Sequence, residues 1–167
     1  MPEEQRLQRL AGIPKRVRPG GVDDGTMPGD ISAAIQERIK NDDPMGAQLL
    51  LDGVDAMLSS PARAEWRQRV AWSYYIENRD PQAYELAQRA TRGSGAWVAE
   101  AWWTAGLAAW RLGDCEGAGD AFDRAGGLAT NPELASAGYY WKARALIRCR
   151  KPESAATALR AAARSDE

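Results

Sequence analysis

Trp102-Trp103-Thr104-Ala105-Gly106-Leu107-Ala108-Ala109-Trp110-Arg111-Leu112-Gly113-Asp114 is the stretch that decides the reading, because it is half of a unit written more than once. Bulky and small residues fall at Trp102, Ala105, Gly106 and Ala109, and after Gly113 at Ala118, Phe122 and Ala125. A second copy lies 37 residues further on (143 − 106), at Tyr139, Ala143, Leu146, Ala155, Leu159 and Ala162. A fainter copy lies 35 residues back (106 − 71), at Ala71, Tyr74, Ala83, Ala87 and Ala90. Each copy is two runs of helical apolar period divided by a breaker, which predicts a pair of antiparallel helices. One such pair cannot hide its own apolar face, so the copies are expected to stack.

The spacing is similar to the roughly 34-residue period of the tetratricopeptide repeat, which sets a bulky, a small and an aromatic residue on its first helix. The expected fold is therefore all-α: an α-solenoid, or superhelix, of about four antiparallel helical hairpins over residues 30–167. Residues 1–29 differ. Pro2, Pro14, Pro19 and Pro28 alternate there with Gly12, Gly20, Gly21, Gly25 and Gly29, which reads as an extended arm with one short helical turn near Glu4–Leu10. The arm's basic run, Lys15, Arg16 and Arg18, reads as a solvated linker, the alternative being a segment that meets an acidic partner.

Breakers and caps divide the rest into eight helices. Asp30 or Ser32 is expected to cap the first, which runs to about Asn41. Asp42-Asp43-Pro44 ends it and caps a second, which carries Leu49, Leu50, Val54, Met57 and Leu58 to Ser59-Ser60. Pro61 opens a third, with Trp66, Val70 and Tyr74 on one side and Trp72 and Ile76 on the other. Asp80-Pro81 starts the fourth, which stops at Gly93-Ser94-Gly95. The fifth presents Val98, Trp102, Ala105, Ala109 and Leu112. Gly113-Asp114, Asn131-Pro132 and Lys151-Pro152 divide the last three.

Composition closes off several kinds of chemistry. The chain has 167 residues, room for one domain with a sizeable core. It contains no histidine and two cysteines. That removes Ser-His and Cys-His nucleophiles, His-ligated zinc and an all-thiolate zinc site within one chain. No cofactor is expected. A formal charge of −1 gives no electrostatic footprint for nucleic acid. No apolar run is long enough to span a bilayer, and no secretory segment opens the chain. The paired acids Asp23-Asp24 and Asp42-Asp43 lie in the arm and at a cap, without an apolar pocket, and Asp120 and Asp123 share a solvated helix face, so none reads as a catalytic acid.

Aligning the copies brings equivalent side chains to one face: Trp103 with Tyr140; Trp72 with Leu107 and Arg144; Tyr75 with Trp110 and Ile147. This ladder is either core covered by flanking helices or an inner face that receives a peptide, a glycan ring or another domain. Arg111, Arg144 and Arg148 beside it read as a solvated or ion-paired face. Cys115 starts the second helix of one repeat and Cys149 ends the first helix of the next, ends that antiparallel packing brings together. Two readings stay open: a disulfide closing 34 residues (149 − 115) in an oxidising compartment, or two buried thiols serving as small hydrophobes.

Tyr139-Tyr140-Trp141-Lys142-Ala143-Arg144-Ala145-Leu146, with Pro152-Glu153-Ser154-Ala155-Ala156 and Leu159-Arg160, resembles the last superhelical repeats of soluble lytic murein transglycosylases. Ala108-Ala109-Trp110-Arg111-Leu112-Gly113 resembles the repeat before them. The resemblance covers residues 66–167 well, residues 30–60 weakly and the arm not at all. It implies a helical scaffold that carries a lysozyme-like domain and confines a peptidoglycan glycan strand in a Gram-negative periplasm, behind a removed signal peptide. The family's catalytic glutamate sits in a Glu-Ser motif followed by Gly-Leu-Met-Gln and Ala-Tyr-Asn segments. Here Glu153-Ser154 has neither, so Glu153 reads as a first-turn acid favouring the helix dipole. The family's catalytic portion would begin roughly where this chain stops, so a fragment of a longer protein is expected. The rival expectation is a stand-alone tetratricopeptide-type adaptor that captures a peptide or protein.

Overall fold

The computed structural model describes residues 24–166, and every regular element among them is helical. The eight α-helices are α1 (Gly29–Lys40), α2 (Pro44–Asp52), α3 (Ser60–Ile76), α4 (Asp80–Thr91), α5 (Trp97–Arg111), α6 (Cys115–Leu128), α7 (Pro132–Arg148) and α8 (Pro152–Ser165). The all-α expectation holds. The turn expected at Glu4–Leu10 and the basic run at Lys15, Arg16 and Arg18 lie outside the described residues.

Local chemistry accounts for most helix starts. Asp43, Ser59, Asp114 and Asn131 each accept a hydrogen bond from the backbone N–H three residues on, at Gly46, Ala62, Gly117 and Leu134. Proline occupies the first turn of α2, α3, α4, α7 and α8, where its missing N–H costs nothing. The Gly46 N–H, followed by the Arg38 guanidinium at 2.9 Å, holds the Asp43 carboxyl below its ordinary range.

Two expected helix boundaries need correction. Neither Asp30 nor Ser32 caps α1. The Pro28 carbonyl accepts from the Ser32 N–H at 2.9 Å, so the helix opens a residue early, at Gly29. Asp30 and Ser32 then lie inside its first turn, bonded to the Ile31 N–H and the Gly29 carbonyl. The second helix ends at Asp52 rather than running to Leu58, and a single 3₁₀ turn follows at Asp55–Met57. The cause lies in α3. Arg67 forks onto the Asp55 carboxylate at 2.8 and 2.6 Å, while Arg63 donates to the Asp55 and Ala56 carbonyls. Those bonds hold residues 55–57 out of helical register, with Val54 and Leu58 buried on either side, while Leu49, within the helix, is exposed.

The turns joining α1 to α2, α3 to α4, α5 to α6 and α7 to α8 are copies of one geometry. Each places one residue at positive φ: Asp42 at 57°, Asn78 at 59°, Gly113 at 83° and Arg150 at 61°. In each, the next N–H reaches back over the helix end: Asp43 to the Arg38 carbonyl, Arg79 to Tyr74, Asp114 to Ala109 and Lys151 to Leu146. This is the Schellman closure, which satisfies carbonyls that a helix end leaves open. Asn78, Gly113 and Arg150 are 35 and 37 residues apart, the same steps that separate the sequence copies. Arg150 carries the left-handed penalty of a long L side chain. Arg150→Gly is therefore expected to stabilise the chain by about 1 kcal/mol, read as a higher urea midpoint at unchanged slope; an unchanged or lower midpoint contradicts this.

Packing runs mainly between helices adjacent in sequence, with α3 also against α5. The core changes character along the chain. Ile31, Ile35, Leu51, Val70 and Leu86 fill α1–α4, whereas Phe122 and a set of alanines fill α5–α8. Small residues let the later helices approach closely. A Cβ at Gly138 would sit 2.7 Å from the Gly126 backbone nitrogen, so α6 and α7 cross on two glycines. Leu112 and Leu159, expected on apolar faces, are exposed at the end of α5 and on α8.

Candidate functional site

Helices α1, α3, α5 and α7 together border an open cleft of about 600 Å³. Trp72, Trp97 and Trp103 line it, with Gln68 and Arg69 from α3 and Lys40 from the end of α1. Trp72 is stacked on Tyr75 at 5.1 Å and remains 39% exposed. Arg69 lies over the rings of both Trp66 and Trp97 and pairs with Glu65 at 2.8 Å. Gln68 is buried, and its Nε2 donates to the Thr104 hydroxyl of α5 at 2.7 Å. Its Oε1 is buried and has no hydrogen-bond partner among the described residues. An unsatisfied buried acceptor costs on the order of 1–3 kcal/mol.

A second aromatic group gathers where α5 meets α7. Trp110 and Trp141 meet edge to face at 5.6 Å, and Trp141 also lies 6.1 Å from Phe122. Arg144 covers Trp141 at 4.8 Å, and Arg148 covers Trp110 at 4.7 Å. Tyr140, 44% exposed, sits edge-on to Trp141 beside a shallower recess shared with Leu159 of α8. Trp103 bridges both groups, since its ring also packs on Phe122 at 5.3 Å.

For the arginines a solvated or ion-paired face is expected; Arg111 is ion-paired with Asp80, and the contacts go further. Arg111 lies over the Tyr75 ring, donates to the Tyr75 carbonyl and pairs with Asp80. Arg148 repeats the arrangement one unit later, covering Trp110 and donating to its carbonyl at 2.8 Å. In both cases an arginine at one helix end closes a carbonyl at the end of the helix two before it, α5 onto α3 and α7 onto α5. These are braces between hairpins, and charge-assisted bonds of this kind are stronger than neutral ones. At the same end, a disulfide joins Cys115 to Cys149 with Cα atoms 5.7 Å apart. It ties the first residue of α6 to the C-cap of α7.

Of the ladder residues named from sequence, Trp72 and Trp103 share the cleft, while Trp110 and Arg144 join the second cluster. Tyr75 is taken up by Trp72 and Arg111, and Tyr140 faces the shallow recess. Sequence reasoning passed over Trp97 and Gln68. Gln68 stands four residues before Trp72, on the same face of α3, and that spacing was the available signal. Among the described residues, no group of three or more Cys, Asp or Glu is placed to hold a metal ion, and no helix is long and apolar enough to cross a membrane. No family model, curated protein or solved structure matches this chain.

Proposed function

We propose that this chain is a non-catalytic α-solenoid scaffold of four tetratricopeptide-like hairpins whose first helices form a ligand-receiving inner face. Within that reading, it is the superhelical part of a periplasmic peptidoglycan lytic transglycosylase, positioning a catalytic domain and the glycan strand. One observation carries the scaffold reading: the four identical turns, with the arginine braces repeated across successive hairpins. Repeated hairpins that lean on their neighbours present a continuous curved surface. Support for the transglycosylase assignment comes from the resemblance at Tyr139–Leu146 and Pro152–Arg160, which falls on α7 and α8. The disulfide agrees with an oxidising compartment.

The adaptor reading keeps the same fold and is favoured by the open, tryptophan-lined cleft, which suits a partner segment as well as a neighbouring domain. A suspension of purified peptidoglycan tests the non-catalytic claim. Incubation with the purified chain is expected to leave its turbidity unchanged, and measurable clearing refutes the claim.

A further inference from the structure

We infer that the open end of the stack, formed by α7 and α8, is a docking surface for one amphipathic helix of a partner protein. The inference rests on the stacked-hairpin reading above and names what its last hairpin takes.

The repeat itself defines what this end lacks. A step of 37 residues (150 − 113) carries the face of α5 and α6 that α7 covers onto α7 and α8. Phe122, fully buried against the Trp141 ring of α7, becomes Leu159, which is 42% exposed. Trp110, which meets Trp141 and Arg148 of α7, becomes Ile147, which is 57% exposed. Gly126, where α7 crosses at Gly138, becomes Ala163, again a small residue. Leu159 and Ala163 line the shallow recess of about 540 Å³ beside Tyr140. The backbone repeats the same gap. The Trp110 carbonyl accepts from the Gly113 N–H and the Arg148 guanidinium, whereas the Ile147 carbonyl accepts from the Arg150 N–H alone among the described residues.

The covering helix is thereby specified. In α7, a small residue, an aromatic, a charge and an arginine stand at Gly138, Trp141, Lys142 and Arg148. Lys142 pairs with Asp123 at 2.9 Å. One step on, Asp123 becomes Arg160, which has no ion pair among the described residues. The partner helix therefore carries an aromatic three residues after a small one, then an acid, then an arginine six residues later. The first helix of a second copy does not fit. Counted from the shared turn (150 − 42 = 108), Asp30 and Glu37 of α1 stand where Gly138 and the buried Ala145 stand in α7. Burying two carboxylates against an apolar face is costly. Both are exposed in α1, which gives that end of the stack the polar outer face of a capping unit.

The test titrates the isotopically labelled full chain with a blocked peptide that copies residues 131–150 with Lys142→Glu and Cys149→Ser, and follows the methyl resonances. Saturable shifts at Leu159 and Ile147 are expected, with a Kd below about 1 mM. A peptide that keeps Lys142 is expected to bind about tenfold more weakly, because it faces Arg160. Arg160→Glu in the chain, an exposed change, is expected to reverse that preference. No saturable shift, or two peptides that bind alike to both chains, would overturn the assignment. So would shifts centred on Phe122, from a peptide displacing α7, or shifts at Leu159 and Ile147 that rise with chain concentration alone, from a second copy. Failure of the hairpin stack is read separately, from contacts between α3, α5 and α7 in the free chain.

Discussion

Phe122→Ala is expected to destabilise the chain by about 3–5 kcal/mol, one of the two largest single-residue effects anticipated in this structure. Phe122 is fully buried, and its ring fills the space left by Gly106 on the facing helix. A Cβ at position 106 would lie 2.6 Å from two of its ring carbons. The ring is also the meeting point of Trp103 and Trp141, which belong to different helices. Truncation therefore removes the ring's transfer energy and leaves a cavity walled by helices that already approach on glycines and alanines. Trp103 and Trp141 border the void, and how far their rings move into it sets where in that range the loss falls. The measurement is chemical denaturation in urea, with a lower midpoint at similar slope. A loss below about 1 kcal/mol would mean that α5, α6 and α7 do not converge on this ring.

The second large effect is that of the disulfide. Cys115 and Cys149 close a loop of 34 residues that spans α6 and α7. On the chain-entropy model, a loop of that size is worth roughly 3–4 kcal/mol. Cys149→Ser, or reduction of the native chain, is expected to lower stability by that amount. Non-reducing peptide mapping is expected to recover the two cysteines linked. Free thiols in material prepared from an oxidising compartment, or equal midpoints with and without reductant, would contradict the pairing.

Punctuation made the helical plan legible before any coordinates. Asp43-Pro44, Gly113-Asp114, Asn131-Pro132 and Lys151-Pro152 each combine a breaker with a helix-start residue, and a helix begins at each. The steps of 35 and 37 were visible as small and aromatic residues on the first helices, and they return as the positive-φ turn residues. The first hairpin was harder to read. Residues 29–52 use isoleucine and leucine where the later units use tryptophan, glycine and alanine, so the repeat lies in their turn at Asp42 and not in their side chains.

What stayed illegible depended on partners far away in sequence. The early end of α2 is imposed by Arg63 and Arg67 of α3, which no local window reveals. Arg111 and Arg148 look like ordinary surface charges until the carbonyls of Tyr75 and Trp110 are placed beside them. At the candidate site, Trp72 and Trp103 were identifiable as equivalents on a shared face. Trp97 belongs to the first turn of α5, outside the repeated pattern, and Gln68 interrupts an apolar face, so each was masked by its own neighbours.

Nuclear Overhauser contacts between the Arg111 side chain and the Tyr75 ring, and between the Arg148 side chain and the Trp110 ring, test the central claim most directly. That claim is that the same step relates successive hairpins. Both contacts are expected, together with a contact from the Gln68 side chain to Thr104 between α3 and α5. Absence of both arginine contacts in a chain of native helical content would contradict the repeated stack and the inner face built on it.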